Sequence, residues 1–89
     1  MTAITRRISE FAAAISFDKV PAEAVERTGM LLMDSVGIAL RARHDAESTP
    51  SLIRAAMRLG LGGGACVAIG DRRGFTPPGA ALVNGTLIH

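Results

Sequence analysis

The segment from Pro21 to Arg43 limits the possible folds more than any other, because its pattern predicts one long helix. Pro21 suits a first helical position, and the two glutamates that follow lie near the positive end of the helix dipole. Apolar residues occupy most of the circumference of this helix: Val25, Met30, Leu31, Leu32, Val36, Ile38, Ala39 and Leu40. Such a helix is usually buried on several sides, and a chain of 89 residues can hardly surround it alone.

Polar and small residues on the same helix suggest how it packs. Arg27, Asp34 and Arg41 form a narrow polar line at seven-residue intervals, so Asp34 is predicted to form a structural ion pair with these arginines. Gly29 and Gly37 each cost about 1 kcal/mol of helix stability relative to alanine. We therefore expect the two glycines to mark the close approach of another helix.

Two shorter helices are predicted on either side of this one. Residues 3–16 form an amphipathic helix, because Ile4, Ile8, Phe11 and Ile15 share one face at 100° per residue. A third helix begins with Ser48 or Thr49 as its cap and Pro50 in its first turn, and it ends at Gly60.

The remaining sequence predicts one short strand and a last helix. Residues 62–64 are three glycines and predict a flexible turn, residues 65–69 a strand, and residues 70–74 a tight turn. Thr76 is a good N-cap for a helix that carries no stop signal before His89. The predicted fold class is therefore mostly α, with about four helices and one short strand or extended segment between helices three and four.

Composition limits the classes of protein to which the chain can belong. A net charge of +2 with no Trp or Tyr argues against nucleic-acid binding, which favours a basic stripe and aromatic platforms. No apolar run approaches the roughly 18–20 residues of a membrane span. Cys66 is the only cysteine, so an intrachain disulfide cannot form, as expected for a reducing compartment. We expect a cytoplasmic protein that binds neither membrane nor nucleic acid.

Few residues are candidates for chemistry. The run GLGGGA at 60–65 follows a helix and precedes a strand, the reverse of the order in a dinucleotide site, so no cofactor is predicted. His, Cys and Asp residues never stand at a metal-ligand pair spacing, and no metal site is predicted. Cys66 fits a small core residue better than a nucleophile. Asn84 and His89 on the last helix are the weak catalytic candidates, since histidine can transfer protons near neutral pH.

Several stretches, in order, resemble the N-terminal portion of the MmgE/PrpD family. The family pattern contains a proline-led long helix with a Leu-Leu-x-Asp-x-x-Gly centre, a glycine run, a short strand and an Asn-Gly-x-x-x-His helix. The matching stretches here are Pro21–Val25, Leu31–Gly37, Gly62–Gly64, Ala65–Gly70 and Ala80–His89. Cys66 departs from the usual threonine, which affects packing more than membership.

The resemblance implies an activity and a domain organisation. Family members such as 2-methylcitrate dehydratase act at a carbon next to a carboxylate, need no iron–sulfur cluster and are usually dimeric. In the family an aspartate-rich active-site segment follows the Asn-Gly-x-x-x-His helix, whereas this sequence stops at His89. The resemblance therefore implies that residues 1–89 are a partial helical domain, truncated at its C-terminal end and inactive alone.

Two functions are compatible with these sequence features. The first is an N-terminal fragment of a lyase or isomerase that acts on citrate-like polycarboxylates and associates with itself or with the remainder of the enzyme. The second is a free-standing helical module that binds a protein partner and has no catalytic role. In both, the apolar surfaces of the second and last helices are expected to be covered by other polypeptide.

Overall fold

The computed structural model describes residues 2–89 and is mostly helical, with a small antiparallel sheet between the third and fourth helices. This confirms the predicted fold class. The elements in chain order are α1 (Ala3–Ala14), a 3-10 turn (Phe17–Lys19), α2 (Ala22–Asp45), α3 (Thr49–Arg58), β1 (Gly62–Val67), β2 (Gly74–Phe75) and α4 (Pro77–Ile88).

The described chain forms two compact units, of which the first ends at Met30 and the second is Leu31–His89. In the first unit, α1 begins where the Thr2 hydroxyl accepts a hydrogen bond from the backbone N–H of Thr5 at 3.1 Å. The predicted apolar face of α1 is present, but no residue of this helix is buried. Its large apolar side chains are exposed: Ile4, Ile8 and Phe11, with Ile15 after its end.

The second unit contains the hydrophobic core, which is built around Phe75 and Val83. Both side chains are fully buried, and α4 packs on α3 and on the two strands around them. The core is small because alanine supplies half of its eight residues: Ala39, Ile53, Ala56, Ala68, Phe75, Ala80, Val83 and Leu87. Short side chains bury little apolar area each, so this core provides limited stabilisation.

Two threonines attach the helices of the second unit to their neighbours. Thr49, buried at the start of α3, donates its hydroxyl hydrogen to the carbonyl of Ala42 at 2.8 Å. Thr76 accepts the N–H of Gly79 at 3.1 Å as the N-cap of α4, and its hydroxyl donates to the carbonyl of Leu61 at 3.1 Å. The predicted start of α4 is thus confirmed, and its cap also joins the helix to the chain before β1.

The glycine run does not form the predicted flexible turn, because Gly62 and its neighbours belong to β1. β1 pairs with β2, a strand of two residues that the sequence did not predict, and the register shifts between Gly62 and Cys66. A Cβ at Gly64 would overlap the backbone of Phe75, and one at Gly74 would overlap the carbonyl of Gly64. The glycines therefore allow two backbones to approach closely, which is a strand role rather than a turn role.

Two predictions about α2 are not met in the part of the chain that the structure describes. Asp34 is exposed, and Arg41 pairs instead with Asp45 at 3.4 Å, so the predicted Asp34 ion pair is wrong. Seven residues span two helical turns, about 10 Å, whereas residues four apart are neighbours. Within its own unit, each of Gly29 and Gly37 has open space where a Cβ would lie, with no atom inside 4 Å, so neither glycine marks a helix contact there.

Candidate functional site

His89 lies at the end of α4 beside an open cleft of about 570 Å³. Residues from α4 and from the link before α3 line this cleft: Ser48, Ala81, Leu82, Gly85, Thr86 and His89. The Thr86 hydroxyl donates to the carbonyl of Leu82 at 2.8 Å, whereas Ser48 makes no side-chain capping bond to α3. The cleft therefore presents an exposed imidazole and a serine hydroxyl to solvent.

This cleft has part of what acid–base chemistry on a polycarboxylate requires. Histidine can accept or donate a proton near neutral pH. A substrate with several carboxylates also needs cationic groups to hold it, and none of the six residues that line the cleft is a lysine or arginine. The described residues supply a candidate proton-transfer group and no complete catalytic set.

Asn84, the second candidate, lies between α4 and the end of β1. Its side-chain oxygen accepts the backbone N–H of Ile69 at 2.7 Å, and its side-chain nitrogen donates to the carbonyl of Val67 at 2.9 Å. Both functional groups of the amide are thus occupied by backbone. Asn84 follows the buried Val83 on the face of α4 that packs against the strands, and this placement explains the contact.

The structure does not bring Asn84 and His89 together. They are five positions apart, which places them about 140° apart around a helix. Asn84 contacts the segment 67–69, while His89 lines the cleft beside Ser48. Asn84 in this structure positions α4 on the sheet, and His89 is the accessible group.

An ion cluster around Asp71 was not predicted from the sequence. The Asp71 side chain is 2% exposed and accepts hydrogen bonds from two arginines. Arg43 Nε lies 3.1 Å from Oδ2, Arg73 Nη2 lies 2.8 Å from Oδ2, and Arg73 Nε lies 3.0 Å from Oδ1. The hydrogen bond from the Arg73 side chain is the largest reason that the pKa of Asp71 lies well below its usual range.

The sequence carried only part of the signal for this cluster. Asp71 and Arg73 are two residues apart in the predicted turn, and the Arg73 N–H also donates to Asp71 Oδ1 at 2.8 Å. Arg43 is 28 residues away in the chain, so only the folded structure reveals its contact with Asp71. Arg43 lies in the last turn of α2, where a cation suits the helix dipole.

Metal-binding and membrane-spanning features are both absent from the part of the chain that the structure describes. Within residues 2–89, no three His, Cys, Asp or Glu side chains converge in a way that would hold a metal ion. None of the helices found there has both the length and the apolar character needed to cross a bilayer.

Comparison with known proteins identifies the family of the chain. No curated protein and no solved structure matches it closely enough to compare. A family model described as the MmgE/PrpD N-terminal domain matches residues 6–89, which is nearly the whole chain. The match includes all of α2, the two strands and α4 with Asn84 and His89. The chain therefore belongs to the MmgE/PrpD family and corresponds to its N-terminal domain.

Proposed function

We propose that this chain is the N-terminal part of an enzyme that removes or supplies a proton next to a carboxylate in a citrate-like polycarboxylate. By itself the chain is inactive and acts as a helical support for that site. Family membership supports the class of reaction. The cleft at His89 supports the proposed inactivity of the chain alone, because its lining residues include an imidazole but no lysine or arginine.

The exposed apolar surface of α2 supports an association with other polypeptide. Leu32 is 62% exposed and Met33 is 77% exposed, in the middle of the longest helix. Further large apolar side chains are exposed along the same helix: Val25, Met30, Leu31, Val36, Ile38 and Leu40. Large apolar side chains left exposed on one helix in this way often mark an interface. We propose that the remainder of the enzyme, or a second copy of the chain, covers these side chains of α2. We also propose that the protein is cytoplasmic.

Within the complete enzyme, α4 presents His89 to the substrate. The Asn84 amide fixes the helix on β1, and Val83 and Leu87 bury its inner face, so the end of α4 has a defined position. A proton-transfer group must lie within about 2.6–3.2 Å of its target, and such a position depends on a rigid support. Residues outside this chain supply the cations that hold the carboxylates.

The first test is the activity of the 89-residue chain alone. We expect no dehydration of 2-methylcitrate and no decarboxylation of cis-aconitate by the purified chain, followed through the ultraviolet absorbance of the conjugated alkene. Turnover of either acid by this chain would refute its proposed dependence on other polypeptide.

The second test uses the coding DNA beyond the codon for His89. An in-frame continuation gives a longer protein in which His89→Gln should lower kcat by about 10²-fold or more, the range expected for loss of an acid–base group. His44→Gln is the matched control, because His44 is the other histidine and is exposed on α2. A stop codon directly after His89 would favour the free-standing interaction module instead.

A further inference from the structure

A second cleft, of about 310 Å³, lies where the end of α2, the start of α3 and the turn after β1 meet. Five residues line it: Arg43, Pro50, Ile53, Arg54 and Arg73. Three of the five are arginines and none is acidic. The proposed function uses none of these residues, so the cleft needs a separate explanation.

Asp71 forms ion pairs with two arginines of this cleft, Arg43 and Arg73, but does not fully neutralise the positive charge there. Asp71 accepts four hydrogen bonds, one from Arg43 Nε and three from Arg73. A carboxylate offers about four lone-pair positions, so Asp71 has no capacity left for Arg54. Three guanidinium groups and one carboxylate leave a local charge of +2.

Asp71 also holds two of the arginines in place. It engages Nε of Arg43 and both Nε and Nη2 of Arg73, which leaves the Nη groups of Arg43 and Nη1 of Arg73 available. Arg54 makes only a long contact of 3.4 Å, from Nη2 to the hydroxyl of Ser51. Arginine has a planar fork of donors that suits carboxylate and phosphate oxygens, so these groups can serve as a preorganised set.

The start of α3 adds to the positive potential of the cleft. Ser48, the N-cap, makes no side-chain hydrogen bond to the first turn, and the Thr49 hydroxyl donates to Ala42 instead of accepting from α3. The backbone N–H of Thr49 donates to the carbonyl of Ala46, that of Leu52 donates to the carbonyl of Ser48, and Pro50 has no N–H. The N–H of Ser51 is therefore the first-turn donor of this ten-residue helix that can face an anion. The buried Ile53 gives the cleft one apolar wall beside Pro50.

We propose that the three-arginine cleft binds a small oxyanion with two or more negative charges, held by Arg43, Arg54 and Arg73 at the start of α3. Inorganic phosphate and a di- or tricarboxylate share the chemistry that this donor set recognises. The inference does not rest on the proposed function, since it concerns binding at a different cleft from that of His89.

The test is a titration of the 89-residue chain with inorganic phosphate and, separately, with citrate, at constant ionic strength set with sodium chloride. Binding is followed by calorimetry and by the backbone amide resonances of Ser51 and Arg73. We expect saturable binding of one anion per chain, with the largest resonance changes at these residues. Arg54→Gln should weaken binding about tenfold, because the anion loses a charge-assisted hydrogen bond.

Arg58→Gln is the matched control, since Arg58 is also an exposed arginine of α3 but does not line the cleft. It should bind the anion as the unaltered chain does. Both arginines are exposed, so neither variant is expected to disturb folding. Saturable binding of phosphate alone, or of citrate alone, supports the proposal and identifies the source of the oxyanion.

Two outcomes would overturn the proposal. One is the absence of saturable binding for both anions. The other is equal weakening in Arg54→Gln and Arg58→Gln, which would mean general electrostatic attraction to a basic chain. Neither outcome concerns turnover, so the proposed function would be unaffected by them.

Discussion

The side-chain oxygen of Asn84 on α4 accepts a hydrogen bond from the backbone N–H of Ile69 at 2.7 Å. Ile69 lies two residues beyond Val67, the last residue of β1. Its amide nitrogen completes the contact by donating to the carbonyl of Val67 at 2.9 Å. One side chain therefore satisfies a donor and an acceptor of the segment that leaves the strand. This pair of bonds, rather than an apolar contact alone, sets how α4 meets the sheet.

The first prediction concerns this contact. Asn84→Ala should lower the free energy of unfolding by about 1–3 kcal/mol, because two backbone groups lose their partners. Urea denaturation of the 89-residue chain measures the change. Thr86→Ala is the control on the same helix, since its hydroxyl bonds only to the carbonyl of Leu82, and it should change stability by less than about 0.5 kcal/mol. Equal effects of the two variants would contradict the assignment.

The second prediction concerns pH. The pKa of Asp71 is lowered in the folded state, chiefly by the hydrogen bond from Arg73, so its ionised form stabilises the fold. This contribution is fully present above the unfolded-state pKa of about 3.9 and is lost as the pH falls through the lower folded-state pKa. Arg73→Gln should raise the pKa of Asp71 towards its ordinary value and reduce the dependence of stability on pH in that acid range.

The measurement for this prediction is an NMR titration of the Asp71 carboxyl carbon, together with denaturation at several acidic pH values. Arg72→Gln is the matched control, because Arg72 is the neighbouring exposed arginine and does not bond to Asp71 in the structure. It should leave the pKa of Asp71 depressed. If Arg72→Gln raised that pKa as much as Arg73→Gln, the cause would be the local field and not the hydrogen bond.

The third prediction concerns the glycines of the sheet. Gly74→Ala should destabilise the chain by about 1–3 kcal/mol, because the added Cβ would overlap the carbonyl of Gly64 and force the strands apart. Gly85→Ala, in open space on α4, should instead stabilise the helix by up to about 1 kcal/mol. Thermal unfolding distinguishes the signs. A neutral Gly74→Ala would mean that the two strands are not closely paired.

The fourth prediction concerns the exposed apolar face of α2. The double variant Leu32→Glu with Met33→Glu should reduce self-association of the 89-residue chain, because both side chains are more than half exposed and their replacement removes apolar area. Light scattering over a range of concentrations measures this. Ala55→Glu, at an exposed position of α3, is the control and should not alter association. An unaltered chain that is monomeric at high concentration would rule out a second copy of the chain as the cover of this face.

The helices were predictable because their signals are local. Thr76 followed by Pro77 marks the start of α4 in any context, and the structure confirms the cap. The apolar spacing of α1 likewise depends only on the period of a helix. The candidate site was less predictable, since nothing near Asn84 in the chain indicates that its amide would meet Val67 and Ile69.

Each error came from a contact that depends on distant residues or on helix geometry. The run Gly62–Gly64 predicts a flexible turn, but a strand pairs there because Phe75 approaches its backbone. The line of charges along α2 predicts a pair at Asp34, although the nearest arginines on that line are two turns away. The cluster of Asp71 with Arg43 was missed because 28 residues separate the two in the chain.

Local patterns were enough to predict the four helices, the mostly α class and the resemblance to the MmgE/PrpD family, because caps, prolines and helical periodicity act over a few residues. Folding was needed to make the glycines a strand, to place Asn84 between α4 and β1, and to gather three arginines around one cleft. These features join residues far apart in the chain. Their formation requires the core around Phe75 and Val83 to bring the elements together, which no local pattern records.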